Sequence, residues 1–589
     1  MIDAAVDPAP AATLSARGEP LGEGVRRQPI GPAIRSVLLP FWRVRASTGC
    51  WIALLCVGGC LLAEVRLAVW SNALTAALTQ SMLDRAEAFI AATLSTTLFV
   101  VTAIAINAAI FYWLKQFIII RWRRWLTMRF HDAWLADDAF YRLERDGGAD
   151  NPDQRIAEDC LLAVETALVM GVDMVGKVAQ IVGFAAVLWT VGGAQDLAPI
   201  GLPVVVPGGM VWAAVLFQGA GSALLLWMGY PLIRLTVARQ RHEADFRFGM
   251  ATLRVHSEQV ALYRGEAAEG LRLRRQFGGV IDNWHRLMGY RARITGFTEC
   301  HNGASMMLCN ILAWERYFAG RISYGDIIIL GAAFLRVSYG LNWLMQWFTQ
   351  GNLYIWAAAV RRLDAFAVAL ARHAPHGITI GRIGNGMVAT TALRLARPDG
   401  TPLATIGDWR FARGERWLVQ GASGSGKSTL LRALAGLWPY GQGKVVRDAA
   451  SHLLFLPQKS YVPEGSLRDA LCYPSGPGHF TDQDCAAALN QVRLSRLAKQ
   501  LDEEARWQER LSPGEQQRLA FARILLQRPD VILLDEATSA LDDDNETHLY
   551  TLIGRSLPEA TIISVAHRHS VARFHGHSLT IGTGPIPHA

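Results

Sequence analysis

Paired cysteines are missing from this chain. Its eight cysteines are scattered over 589 residues with no C-x-x-C pair, so neither a zinc site nor a disulfide framework is indicated. Charge is also scarce: 18% of residues are charged against 51% hydrophobic, and mean hydropathy is positive, which argues against an ordinary soluble domain. The first 35 residues, rich in Ala, Pro, Gly and Arg, have no apolar core of a cleavable signal peptide and read as a disordered tail. No internal repeat or low-complexity tract stands out. The net charge of +8 is not gathered into a basic patch with interleaved aromatics, so nucleic acid is not an expected partner.

Long apolar segments are present instead. Six stretches long enough to span a bilayer lie near 51–73, 90–114, 170–191, 210–233, 297–318 and 326–348, and the lipid bilayer is the first expected partner. Six of that length in one part of a chain argue against buried helices of a soluble domain. The stretch 36–44 reads as a short interfacial helix with Phe41 and Trp42 at the headgroups. Arginine is concentrated in 115–165 and 234–293, whereas the alternate connections carry little beyond Arg85 and Arg321. The positive-inside rule then puts both basic loops, the N-terminus and the C-terminal part in the cytoplasm. Ionisable residues in apolar segments are costly and tend to face a cavity or a partner. Glu64, Asp173, Glu299 and Glu315 are candidate cavity residues, with structural ion pairs as the alternative.

The C-terminal part carries a phosphate-binding pattern. Gly421, Ala422, Ser423, Gly424, Ser425, Gly426, Lys427, Ser428 and Thr429 fit G-x-x-x-x-G-K-[ST]. Glycines let backbone N–H groups close around phosphates; Lys427 is placed to reach the β- and γ-phosphates and Ser428 to ligate Mg²⁺. Downstream, 531–536 is an apolar run ending in Asp535 and Glu536, the pattern of a buried parallel strand. Asp535 is the candidate to hold Mg²⁺ through water, and Glu536 the candidate general base for the attacking water. Between these motifs, Ser512, Pro513, Gly514 and Glu515 form a capping box with proline at the first helical position. Such a helix start is also an anion site.

These motifs, in this order, resemble the ATP-binding cassette (ABC) family. The resemblance makes Ser512, Gly514 and Glu515 a signature motif that faces the P-loop of a second cassette. It places Gln458 in a Q-loop, near Mg²⁺ or the lytic water, Asp542 in a D-loop, and His567 as the switch histidine near the γ-phosphate. ATP and Mg²⁺ are the implied cofactors. The aromatic that stacks on adenine in many relatives is absent from 393–400, where Arg397 or Leu395 is the substitute on offer; a guanidinium can stack on a ring.

The tracts 141–160 and 243–269, read alone, are polar helices laced with ion pairs. Both are similar to the SbmA/BacA-like branch of bacterial ABC transporters, a branch similar to the peroxisomal ABCD subfamily. The fold expected is an α-helical polytopic membrane domain of six spans followed by an α/β P-loop NTPase domain. The divisions expected are a tail over 1–35, a membrane domain over 36–365, a linker over 366–378 and a nucleotide-binding domain over 379–589. One membrane half and one cassette imply a homodimer in the bacterial inner membrane. The branch implies ATP-driven import of bulky hydrophilic solutes such as cobalamin, antimicrobial peptides or bleomycin-like compounds. Export of drugs or lipids is the alternative, and a membrane-anchored regulatory ATPase without transport is the alternative of another class.

Overall fold

The computed structural model describes residues 29–85, 87–147, 151–196, 205–349, 352–372, 377–383, 387–448, 450–566 and 568–582. These fall into two compact units, Met1–Arg372 and His373–Ala589.

The first unit is helical. Its long helices are α1 (Thr48–Leu83), α2 (Glu87–Leu135), α3 (Cys160–Gly192), α4 (Gly209–Val255), α5 (Glu266–Phe318), α6 (Tyr324–Thr349) and α7 (Asn352–Ala371). In the apolar parts of α1 to α4 hydrophobic residues run round the whole circumference, the pattern of a helix surrounded by lipid. Leu55, Leu98 and Val182 accordingly point outward with 77%, 70% and 66% of their surface exposed. Where helices meet, small residues let them close: a Cβ on Gly340 of α6 would lie 2.6 Å from Ile181 of α3, the packing mode that serves in lipid. Polar side chains tie α1 to its neighbours, with Asn107 of α2 donating to the Cys60 carbonyl and Asn72 donating to the Ile329 carbonyl of α6.

Five helical stretches are long and apolar enough to cross a membrane among the described residues: Arg45–Leu83, Phe89–Asp146, Pro152–Gly192, Gly209–Val255 and Tyr324–Trp343. The expected sixth, 297–318, is helical as the C-terminal part of α5. It falls short because Glu299, His301, Asn302, Asn310 and Glu315 dilute its apolar residues. Of the tail expected over 1–35, residues 1–28 lie outside the described residues, and Ile30–Ala33 form a helical turn. Phe41 is not at a headgroup surface. It is 1% exposed and stacks on Trp122 at 5.7 Å, inside a cluster with Ile118, Leu126 and Val360.

A polar knot joins α4, α5 and α6. Gln218, fully buried, accepts from Asn342 at 2.8 Å and donates to Ser305 at 3.0 Å. His301 Nε2 lies 2.8 Å from the same Gln218 oxygen, and its ring is stacked between Phe217 and Phe297. Gly221 makes room, since a Cβ there would sit 2.3 Å from the imidazole.

Besides a two-stranded ribbon of Gly465–Ser466 and Glu504–Ala505, the second unit has two larger sheets. Five parallel strands lie in the order β9 (His577–Thr580), β4 (Arg416–Gln420), β8 (Thr561–Val565), β7 (Val531–Asp535) and β6 (Leu453–Leu456). The other sheet runs β1 (Ile378–Ile383), β5 (Gly441–Asp448), β2 (Val388–Ala396) and β3 (Pro402–Phe411), with β2 antiparallel to both neighbours. Helix α8 (Lys427–Ala435) follows β4 and shares a core with both sheets through Leu430 and Leu434. A second core under α9 (Pro513–Gln527) is built around Leu489, Trp507 and Phe521.

Candidate functional site

The turn from β4 into α8 is held by glycines in the left-handed region: Gly424 has φ +80° and Gly426, the N-cap of α8, φ +96°. A Cβ at Gly421 would come within 2.7 Å of the Ile581 carbonyl. The turn thus curls backbone N–H groups over the start of α8, an anion cradle. Lys427 reaches back along it, donating to the carbonyls of Gly421 and Ala422 at 2.8 and 2.9 Å. The Ser425 hydroxyl is buried there without a hydrogen-bond partner.

Strand β7 is buried along its whole length and delivers its carboxylates to this cradle. Ser428 donates to Asp535 at 2.8 Å. Burial pushes the Asp535 carboxyl above its ordinary range, with the Ser428 hydrogen bond opposing. The hydroxyl and carboxylate are hard oxygen donors, the type that holds Mg²⁺. Glu536 follows with φ +51°, a conformation a non-glycine residue keeps only when its surroundings enforce it. Here its N–H donates to the Val565 carbonyl at 2.9 Å, and Gln458 donates to its carboxylate at 2.9 Å. The structure therefore brings Lys427, Ser428, Asp535, Glu536 and Gln458 to one place. His567 lies outside the described residues.

Ser512, Gly514 and Glu515 form the start of α9, with Pro513 at its first position and both halves of the capping box present. The Glu515 carboxyl is held below its usual range: burial pushes it up, but Arg496 and the Ser512 hydrogen bonds outweigh that. Gly514 packs against the next motif, since a Cβ there would lie 3.2 Å from the Ala540 carbonyl. Asp542 caps α10 (Asp543–Ser556), accepting from the Asn545 N–H at 2.8 Å.

Sequence reasoning missed four side chains. Gln517 bridges α9 to the loop before Asp542, bonding Ser539 and the Ala540 N–H. Arg523, buried, donates to the carbonyls of Tyr461 and Ala470 at 2.8 Å and so ties α9 to the segment after Gln458; burial lowers it to about 10. Glu546 accepts from Thr538 at 2.7 Å and from Ser570 at 2.8 Å, joining the turn after Glu536 to the segment after position 567. Tyr440 is the fourth. With Arg397 and Pro402 it lines a cleft of about 410 Å³ whose wall includes Ala404, and Ala404 would be 3.4 Å from a Cβ on Gly426. Arg397 is exposed at that cleft, whereas Leu395 is 2% exposed and part of the core.

In the first unit, Glu64 is engaged in a bridge between α1 and α3: Gln180 donates to it at 3.0 Å, and Lys177 donates to Gln180 at 3.2 Å. Asp173 is half-buried on α3, one turn from Lys177. Glu299 and Glu315 are exposed on α5.

Two family models match the chain. ABC transporter transmembrane region 2 covers residues 34–313 and ABC transporter covers residues 407–539. An uncharacterized ABC transporter ATP-binding protein of Haemophilus influenzae is 33% identical over 82% of this chain and 81% of its own. The inner membrane ABC transporter ATP-binding protein YddA of Escherichia coli is 29% identical over 91% of this chain and 94% of its own. The human lysosomal cobalamin transporter ABCD4 is 29% identical over 77% and 79% respectively. With a multi-pass helical unit and a P-loop unit in one polypeptide, this chain belongs to the ABC transporters, which couple ATP hydrolysis to transport across a membrane.

Proposed function

We infer that the chain works as a homodimer in a bacterial inner membrane, with its ATPase unit in the cytoplasm, and imports a bulky hydrophilic solute of the cobalamin, antimicrobial-peptide or bleomycin-like class. Its similarity to an inner membrane transporter and to a lysosomal cobalamin transporter supports that reading, as does the arginine bias of 115–165 and 234–293.

The observation that carries the ATPase assignment is the meeting of Ser428 with Asp535 and of Gln458 with Glu536 beneath the glycine cradle. Lys427 exchanges its two carbonyl partners for phosphate oxygens when ATP enters, and the unpartnered Ser425 hydroxyl gains an acceptor. The oxygen donors fit Mg²⁺, which Ser428 and Asp535 would hold, with Gln458 adjacent. When bound, that ion supplies neutralisation of the phosphate charge. Glu536 orients and deprotonates water as general base, and Gln458 positions its carboxylate. Arg397 and Tyr440 hold the base in the cleft beside the P-loop. Ser512, Gly514 and Glu515 of one protomer close on the phosphates held by its partner, so each site is complete only in the dimer. His567 acts beside the γ-phosphate. Closure and reopening of the cassettes drive the membrane unit.

Reconstitution in liposomes tests this. Inward accumulation of cobalamin or a Pro-rich peptide with ATP on the cassette side is the expected result. Outward dye movement, or ATPase activity with no solute moved, overturns the import reading.

A further inference from the structure

A second cavity lies within the membrane unit. It occupies about 820 Å³ between α4 and α5, in the size range of small-molecule sites. Its walls are Leu226, Trp227, Met228 and Ile294, and its aromatic rim is Tyr230 and Tyr290. Among the described lining residues Arg293 is the single charged group, and none of them carries a carboxylate.

Three further observations define what fits. The cavity sits where the apolar stretch of α4 gives way to Arg234, and where α5 leaves its arginine-rich half at Arg291 and Arg293. That is the level at which aromatic and cationic side chains meet lipid headgroups. Arg293 lies over the Tyr290 ring at 5.5 Å, an arrangement that fixes the cation while its N–H edges still face an anion. Pro231 lies inside α4 and has no N–H to give the Trp227 carbonyl one turn earlier. That carbonyl therefore lacks its usual helical donor. Trp227 itself is 77% exposed.

We propose that this cavity binds one anionic phospholipid from the cytoplasmic leaflet, its phosphate on Arg293, its glycerol hydroxyls toward the Trp227 carbonyl and an acyl chain along Trp227, Met228 and Ile294. The commitment to lipid rests on charge complementarity and on depth: a lone cation above apolar walls at the headgroup level is the pattern of anionic-lipid pockets between membrane helices. It also rests on the reading of the basic loops as the cytoplasmic face.

The test uses the full chain purified from nanodiscs of phosphatidylcholine with a minority of phosphatidylglycerol, with retained lipid counted by native mass spectrometry. Wild type retains phosphatidylglycerol in preference to phosphatidylcholine. Arg293→Gln lowers that retention roughly fivefold, Arg293→Lys restores most of it, and Trp227→Ala lowers it without changing headgroup preference. Arg264→Ala, at the far end of the same basic loop, leaves it unchanged. Lys427→Ala also leaves it unchanged, so failure of the ATPase assignment and failure of the lipid site are told apart. Equal retention of the two lipids, or full retention by Arg293→Gln with an unchanged melting temperature, overturns the proposal. So does cross-linking of Trp227→Cys to a second copy of the chain, which would make the cavity a subunit contact.

Discussion

Asp535 shows how a single buried carboxylate divides binding from stability. Its pKa is raised in the folded chain, chiefly by burial, so the ionised form opposes folding wherever Asp is charged in the unfolded state. The group favours folding fully only below the ordinary Asp range, and that contribution is lost as pH rises through the raised value. Asp535→Asn should therefore raise the melting temperature of the nucleotide-free protein at neutral pH and lose that advantage in acid, while ATP turnover disappears. A variant no more stable than wild type at neutral pH would contradict the burial argument. Glu536→Gln should bind ATP and stop hydrolysing it, measured as retained nucleotide and phosphate release; normal turnover would remove Glu536 as the base. At this scale the sequence was legible where the chemistry is local. The P-loop and the carboxylate pair announce themselves by spacing. Glu546 and Tyr440 do not, because each acquires its partners from residues distant along the chain.

Helix α9 is the element on which the second unit turns. Its first turn is capped by Ser512 and Glu515, its second meets the segment before Asp542 through Gln517, and further along Arg523 anchors it to the segment after Gln458. Ser512→Ala should cost about 1 kcal/mol through the lost cap, read by denaturant unfolding of the second unit. Arg523→Ala should cost more, since it strands the buried Ala470 carbonyl, at roughly 1–3 kcal/mol, and also the part-buried Tyr461 carbonyl. An equal or smaller loss than Ser512→Ala would show those carbonyls finding other partners. The cap was readable from four consecutive residues. The Arg523 anchor was not, because a helix pattern shows that a side chain is polar but not that it is buried. Helix α5 teaches the converse. Hydropathy picks out 297–318, but the helix runs on from Glu266 because nothing in the polar half breaks it. His301 looks like an interruption until Gln218, Phe217 and Phe297 are seen to enclose it.

For the whole molecule, the proposed homodimer makes a prediction no single chain can meet. Chains bearing Lys427→Ala and chains bearing Gly514→Asp should each be inactive alone. Mixed before reconstitution, they should regain ATPase activity, because a heterodimer contains one site with an intact P-loop facing an intact signature. A mixture no more active than its components would mean that each cassette works by itself. The polar knot at Gln218 has a mechanical consequence for any such cycle. Gly209 lies nine residues before Gln218 on α4 and Val255 lies 37 residues after it, arms of about 14 Å and about 56 Å at helical rise. With α4, α5 and α6 pinned together at that point, the knot is a fulcrum set near one end of a lever. A swing at the arginine-rich tip reaches the opposite membrane face reduced about fourfold, so wide strokes on one side translate into fine opening and closing on the other.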